Sequence, residues 1–192
     1  MNKISKNEIS AVILAGGQGS RMGGKDKGLI EFRNLPLIAY AVNVAKDRVN
    51  EIFISANRSL EDYSKYGKVI VDDLEGFQGP LAGISKALKA CSSNYLLVLP
   101  CDSPMIDSTL IAELVERMEI SDSDICVAHD GQIMHATFAL MKSNLSESLD
   151  KFLDDGGRKM ALWYRQQRTE RVNVSSHLEL LTNLNSPEDF NF

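Results

Sequence analysis

Residues 9–28 read Ile-Ser-Ala-Val-Ile-Leu-Ala-Gly-Gly-Gln-Gly-Ser-Arg-Met-Gly-Gly-Lys-Asp-Lys-Gly. The run Ile9–Leu14 is apolar and β-branched enough to predict a buried strand. It feeds directly into a loop holding Gly16, Gly17, Gly19, Gly23 and Gly24, with Arg21, Lys25 and Lys27 set among them. Glycine lets the backbone come close to a ligand, and successive N–H groups in such a loop make an anion-binding concavity. The cations would neutralise several phosphate charges at once, so the stretch reads as a triphosphate cradle at a strand end. It is not a Walker-type loop, because G-x-x-x-x-G-K-[ST] is absent. A dinucleotide fingerprint fails in register, since Met22 stands where its third glycine belongs. A plain turn with solvated lysines would not need five glycines and three cations.

Outward from this stretch, short β-rich runs alternate with helical patterns, which predicts an α/β layered sheet. The further strands expected are Glu51–Ser55, Lys68–Val71, Tyr95–Leu99, Asp124–Ala128, Thr137–Met141 and Arg171–Val174. Ile106, Leu110, Ile111, Leu114, Val115 and Met118 form one stripe of an amphipathic helix, capped by Asp107 or Ser108. Leu81, Ile84, Leu88 and Cys91 make a second, opened by Pro80. Leu145, Leu149, Phe152 and Leu153 make a third, stopped at Gly156-Gly157. Met160, Leu162, Trp163 and Tyr164 read as core residues of another helix, and Ser186-Pro187-Glu188-Asp189 as the start of a short final one.

The 192 residues, 44% hydrophobic and 24% charged, suit a single domain spanning 1–192 with a sizeable core. A net charge of -5 argues against a nucleic-acid polymer as partner, whereas a local basic loop in an acidic chain suits a small anion. Cys91, Cys101 and Cys126 fit neither a disulfide framework nor a zinc site and read as thiols in a reducing compartment. Met1–Glu8 is polar, and no run reaches the ~18 apolar residues of a membrane span. The expectation is a cytoplasmic protein with no membrane association.

Three further constellations bear on chemistry. Leu97-Val98-Leu99-Pro100-Cys101-Asp102 ends an apolar strand on a carboxylate, and ligands of open α/β sheets bind beyond the carboxyl ends of strands. Asp102 therefore shares a sheet edge with Gly16 and either caps the next helix or holds Mg²⁺, which keeps several waters and bridges to phosphates. Val69-Ile70-Val71-Asp72-Asp73 repeats the pattern, as an exposed turn or as a nucleotide or metal contact. Gly79-Pro80-Leu81-Ala82-Gly83 opens a helix whose N–H groups suit an anion, although close helix packing explains its glycines almost as well. Arg158 and Lys159 precede a helix and face either solvent or a second anionic substrate, while His135 is more often structural than catalytic.

Leu14-Ala15-Gly16-Gly17-x-x-x-Arg21-Met22-Gly23-x-x-Asp26-Lys27 resembles the signature loop of the nucleotidyltransferases. Asn57-Arg58, Gly79-Pro80-Leu81-Ala82-Gly83, Pro100-Cys101-Asp102 and Asn183-x-Asn185-x-Pro187-Glu188 extend the resemblance to the molybdenum cofactor guanylyltransferases. It covers Ile9 to about residue 190. The resemblance implies a three-layer α/β/α, Rossmann-like nucleotidyltransferase fold with a mostly parallel mixed sheet. It also implies GMP transfer from GTP to the terminal phosphate of molybdenum-molybdopterin, with Mg²⁺ as cofactor. Carried over by position, Leu14, Ala15, Gly16 and Gly17 correspond to backbone contacts with GTP. Lys27 and Arg21 correspond to phosphate-binding, catalytic cations, Asp72 to a nucleotide contact, and Asp102 to the aspartate that takes both Mg²⁺ and nucleotide. Gly79, Gly83, Arg158, Asn183 and Asn185 fall where the pterin-side pocket is expected. Transient contact with molybdenum-insertion proteins or target molybdoenzymes would follow from such a role. The alternatives are a cytidylyltransferase for the same pterin, a sugar- or polyol-phosphate nucleotidyltransferase, or a catalytically silent nucleotide-binding protein.

Overall fold

The computed structural model describes residues 3–16, 26–71, 79–185 and 189. In chain order the strands are β1 (Ile9–Leu14), β2 (Glu31–Phe32), β3 (Leu35–Pro36), β4 (Glu51–Ser55), β5 (Lys68–Ile70), β6 (Tyr95–Pro100), β7 (Ile125–His129), β8 (Met134–Lys142) and β9 (Thr169–Asn173). The helices are α1 (Leu37–Ala45), α2 (Leu60–Tyr63), α3 (Pro80–Ala90), α4 (Ser108–Ile120), α5 (Ser146–Asp154) and α6 (Met160–Tyr164). Seven strands form one sheet in the order β5-β4-β1-β6-β8-β7-β9. Pairing is parallel from β5 through β6 and between β7 and β9, and antiparallel on both sides of β8. The mixed, mostly parallel α/β sheet is the architecture expected of the sequence.

Apolar side chains alternate across β1 because successive residues of a strand point to opposite faces. Ile9 and Ala11 enter a core with α4, whereas Val12 enters another with α3, α5 and α6. Ile13 and Ala15 pack with Ile38 and Ala41 of α1 and with Tyr63 of α2. Helices thus cover both faces and the sheet is the middle layer. Met160, Trp163 and Tyr164 are buried in the α3/α5/α6 core as expected, but Leu162, expected among them, is 47% exposed because it falls on the outward side of α6. Among the described residues no helix is long and apolar enough to cross a membrane. Cys101 and Cys126 are buried free thiols and Cys91 is a half-buried one.

The strands expected from sequence are all present with ends shifted slightly; β8, for example, runs Met134–Lys142 rather than from Thr137. Asp107 caps α4, its carboxylate accepting from the Thr109 N–H at 2.7 Å. The segment from Glu31 to Ala45 carried no element in the sequence reading. It holds the β2–β3 hairpin, whose turn residues Arg33 and Asn34 take φ of 48° and 67°, and then α1. The hairpin lacks the Asn-Gly signal of such turns. In α1, Leu37, Ile38, Ala39, Ala41 and Ala45 are all buried, too broad an apolar surface to read as one stripe. The short final helix expected at 186–189 lies largely outside the described residues.

Away from the cleft, one charged cluster ties three strands together. Asp124 accepts from Arg168 Nε at 2.8 Å and Nη2 at 2.7 Å, and from Lys142 Nζ at 3.2 Å. These groups precede β7, precede β9 and end β8. The Arg168 hydrogen bond, aided by Lys142, holds the Asp124 carboxyl at about 2 against an ordinary 3.8, although burial opposes the shift. A carboxyl depressed in the folded state stabilises above its unfolded pKa, and the stabilisation disappears as pH falls through the folded value. Asp124→Asn is therefore expected to be less stable than the parent in urea at neutral pH, with the difference shrinking between pH 3.8 and about 2. A difference that stays constant across that window would refute the charged clamp.

Candidate active site

Parallel pairing of β1 with β6 sets Leu14 opposite Pro100, so the chain leaves both strands at the same edge of the sheet. Here the connections diverge: β4 and β5 are added on one side of β1, while β6 lies on the other. Such a switch point opens a crevice between the two departing loops. The Cys101 N–H donates to Leu14 O at 3.2 Å and the Ala15 N–H to Ser55 O at 2.9 Å, which carries the register past the strand ends. A cleft of about 250 Å³ opens here. It is lined by the backbone run Leu14–Gly16, by the charged pair Lys27 and Asp102, and by Thr137 of β8 and Asn183.

Lys27 begins a turn of 3-10 helix, Lys27–Leu29, and reaches across the crevice to Asp102. Its ammonium pairs with Asp102 Oδ2, the two side chains being 23% and 15% exposed. The same ammonium donates to Asn185 Oδ1 at 2.8 Å. Asn183 accepts from Ser103 Oγ at 2.6 Å, and the Leu184 N–H donates to the Asp102 carbonyl at 2.9 Å. Leu184 itself is buried against Phe32 and Leu37. The C-terminal segment is thereby tied to both halves of the crevice. Residues 158 positions apart in sequence meet on one ammonium group.

The structure brings together Leu14, Ala15, Gly16, Lys27, Asp102, Asn183 and Asn185. Gly79 and Arg158 are neighbours at one end of α3: a Cβ on Gly79 would lie 4.0 Å from Arg158 O, and Pro80 lines the cleft. Gly79 has φ of 76°, a conformation that favours glycine. The Arg158 guanidinium donates to Leu153 O at 2.8 Å and Gly157 O at 2.7 Å, binding its own segment to the end of α5. Gly83 faces β4 instead, where a Cβ would come within 2.0 Å of Ser55 Oγ. Close packing accounts for that glycine. Gly17, Arg21 and Asp72, with Gly19, Gly23, Gly24, Lys25 and Asp73, lie outside the described residues. His135 pairs with Asp130 at 2.8 Å, and the Gln132 and Ile133 N–H groups donate to the same carboxylate at 2.7 Å each. Those bonds, the Ile133 N–H first, hold the Asp130 carboxyl well below the usual carboxylate range. They make the His135 pair a turn-closing one.

Among the described residues no three His, Cys, Asp or Glu side chains cluster as a preformed metal cage. Asp102 is nevertheless a fitting donor for Mg²⁺, because that ion often takes only one or two carboxylates and completes its shell with water and substrate phosphates. Sequence reasoning missed Thr137 and Ser103, whose contribution depends on β8 and the C-terminal segment arriving at this edge. It also left Asp26 without a role. Asp26 lines the cleft beside Lys27 and is held from Tyr63, 37 positions away.

The MobA-like NTP transferase domain model matches residues 11–171. The chain is 41% identical over 182 residues to a molybdenum cofactor guanylyltransferase of Shewanella pealeana, covering 94% of this chain and 91% of that protein. It is 42% identical over 182 residues to the molybdenum cofactor guanylyltransferase of Vibrio atlanticus, covering 95% and 93%. The fold is similar to the solved molybdopterin-guanine dinucleotide biosynthesis protein A of Archaeoglobus fulgidus, with a TM-score of 0.79 at 19% identity, covering 94% of each chain.

Removing the Lys27 ammonium should release the segment it tethers. In Lys27→Ala, hydrogen exchange at Leu184 and Asn185 is expected to accelerate about tenfold or more, the consequence of losing one charge-assisted hydrogen bond. Amides of β1 and β6 should keep their protection. Unchanged exchange at 184–185 would show that the tether lies elsewhere.

Proposed function

The chain belongs to the molybdenum cofactor guanylyltransferases, enzymes of the MobA-like NTP transferase domain family, and we propose that it transfers GMP from GTP to the terminal phosphate of molybdenum-molybdopterin. The observation that carries this reading is the meeting of Lys27 with Asp102 beside the open backbone of Leu14–Gly16. A cation, a carboxylate and exposed main chain at a sheet switch point form a suitable setting for a nucleoside triphosphate.

In the reaction an oxygen of the acceptor phosphate attacks the α-phosphorus of GTP in line. A new P–O bond forms, the bond to the bridging oxygen of the β-phosphate breaks, and pyrophosphate leaves with the electron pair. Such transfers rest on positioning and charge neutralisation more than on covalent help from the protein. Lys27 and Arg21 would stabilise negative charge gathering on the leaving group, with the backbone of Leu14–Gly16 lying along the nucleotide. Asp102 would hold Mg²⁺, which when bound supplies Lewis-acid polarisation of phosphate oxygens. For that, Asp102 must share or surrender its pairing with Lys27, and phosphate oxygens are the natural new partners of the ammonium. The acceptor phosphate is ionised near neutral pH, so no general base is needed. On this reading Asp72 contacts the nucleotide, while Gly79, Arg158, Asn183 and Asn185 border the acceptor. The reading further entails a cytoplasmic site of action and hand-over between molybdenum-insertion proteins and target molybdoenzymes.

Pyrophosphate release measured with each NTP, Mg²⁺ and molybdenum-molybdopterin should occur with GTP and require the acceptor; release with CTP alone would assign a different transferase. Asp102→Ala is expected to lower kcat by about 10²–10³, the effect of removing one group that stabilises transition-state charge. Its fold should survive, since the Leu184 contact uses the Asp102 main chain. Lys27→Ala should raise the KM for GTP about tenfold or more, on the scale of one lost charge-assisted hydrogen bond. An unchanged GTP dependence would remove Lys27 from the phosphate site.

A further inference from the structure

Asp26, immediately before Lys27, has a side chain only 7% exposed. A buried carboxylate is costly unless its oxygens find partners; Oδ1 is hydrogen-bonded, whereas Oδ2 has an ion-pair neighbour but no hydrogen-bond donor among the described residues. Oδ1 accepts a hydrogen bond from the Tyr63 hydroxyl, and Oδ2 lies 3.2 Å from Arg58 Nε. Tyr63 is fully buried, so a phenol that lost Asp26 would have to find a partner in the interior. The residue after Lys27 is fitted to the same ring. A Cβ on Gly28 would stand 2.6 Å from the Tyr63 hydroxyl oxygen, and 3.2 and 3.3 Å from Cε1 and Cζ. Gly28 has no side chain because the phenol occupies its place.

The backbone of Lys27 is therefore gripped on both sides by one ring. The Asp26 side chain anchors it on the N-terminal side, and close packing at Gly28 anchors it on the C-terminal side. The Asp26 carbonyl also accepts from the Leu29 N–H at 3.0 Å, closing the 3-10 turn. Lysine's long stem is rich in rotamers, so where its ammonium arrives depends on how firmly the Cα is held. We propose that Tyr63 is a positioning residue: through Asp26, and through contact with Gly28, it fixes Lys27 so that the ammonium reaches Asp102 and Asn185. Arg58 completes the grip from the loop that leaves β4. Tyr63 touches neither nucleotide nor acceptor in this scheme. The inference rests on reading Lys27 as the phosphate-binding cation, but the geometry it asserts is that of the free protein.

The test uses Tyr63→Phe, Gly28→Ala and the double variant, with two readouts. One is the acylation rate of each lysine in the free protein, followed by mass spectrometry. The other is GTP affinity by calorimetry, set beside the KM for the acceptor. Tyr63→Phe should speed acylation of Lys27 severalfold while Lys65 and Lys151, 69% and 77% exposed, react as before. It should weaken GTP binding about tenfold, on the scale of one hydrogen bond to a charged group, with the acceptor KM unchanged. Gly28→Ala should do the same by pushing the hydroxyl away. The double variant should be no worse than either single one, because both act through the same contact. A Lys27 rate unchanged in Tyr63→Phe, a general rise across all lysines, or additive losses in the double variant would overturn the proposal. Should Asp26→Ala, which removes the acceptor of the Tyr63 hydroxyl, leave Lys27 reactivity untouched, that too would overturn it. If the parent binds no GTP while Lys27 reactivity responds as expected, the positioning role stands and the assigned substrate is what fails.

Discussion

Parallel hydrogen bonding between β1 and β6, from Ile9 opposite Tyr95 to Leu14 opposite Pro100, is the constraint on which the site depends. It delivers two loops to one edge with their origins a strand's width apart. A slip of one residue would turn every side chain of a strand to the other face, and Val12 or Leu97 would leave the core it fills. The register is therefore enforced by packing on both sides of the sheet. The first residues past each strand, Ala15 and Gly16 after β1 and Cys101 and Asp102 after β6, inherit that precision.

Charge balance inside the crevice is the second constraint. Lys27 and Asp102 are each mostly shielded from water and satisfy one another in the free protein. Leaving either alone at that depth would cost more than the pair contributes. On the proposed function, an arriving polyphosphate would offer the ammonium new acceptors and free the carboxylate. Asn185 accepts from Lys27, the Leu184 N–H donates to the Asp102 carbonyl, and Asn183 accepts from the adjacent Ser103. Residues 183–185 are thereby part of the crevice wall.

Much of this was legible in the amino-acid order. The seven strands of the large sheet announced themselves because β-branched runs bounded by loops are a local signal, and α4 because its stripe and its Asp107 cap are local too. Lys27 and Asp102 were legible since each stands in a loop that an apolar run feeds directly. The Glu31–Ala45 segment was not, because α1 is buried too broadly to show a stripe and the Arg33-Asn34 turn has none of the usual glycine. Gly83 suggested an anion-binding helix start, and the fold shows it packed on Ser55. No local pattern distinguishes a glycine that admits a ligand from one that admits a neighbouring strand. Only the identity of the group standing opposite decides.

The sequence by itself determined the α/β class, the strand-to-glycine-loop junction and the chemical types of the site residues, because periodicity, composition and loop chemistry act over a few neighbouring residues. Tertiary structure alone decided that Asp26 is gripped by Tyr63, that Thr137 faces the cleft, and that Asn185 shares an ammonium with Asp102. The Asp26 and Asn185 contacts link positions 37 and 158 residues apart. They arise from strand order and register, which are properties of the whole packed sheet and leave no mark on any single stretch of chain.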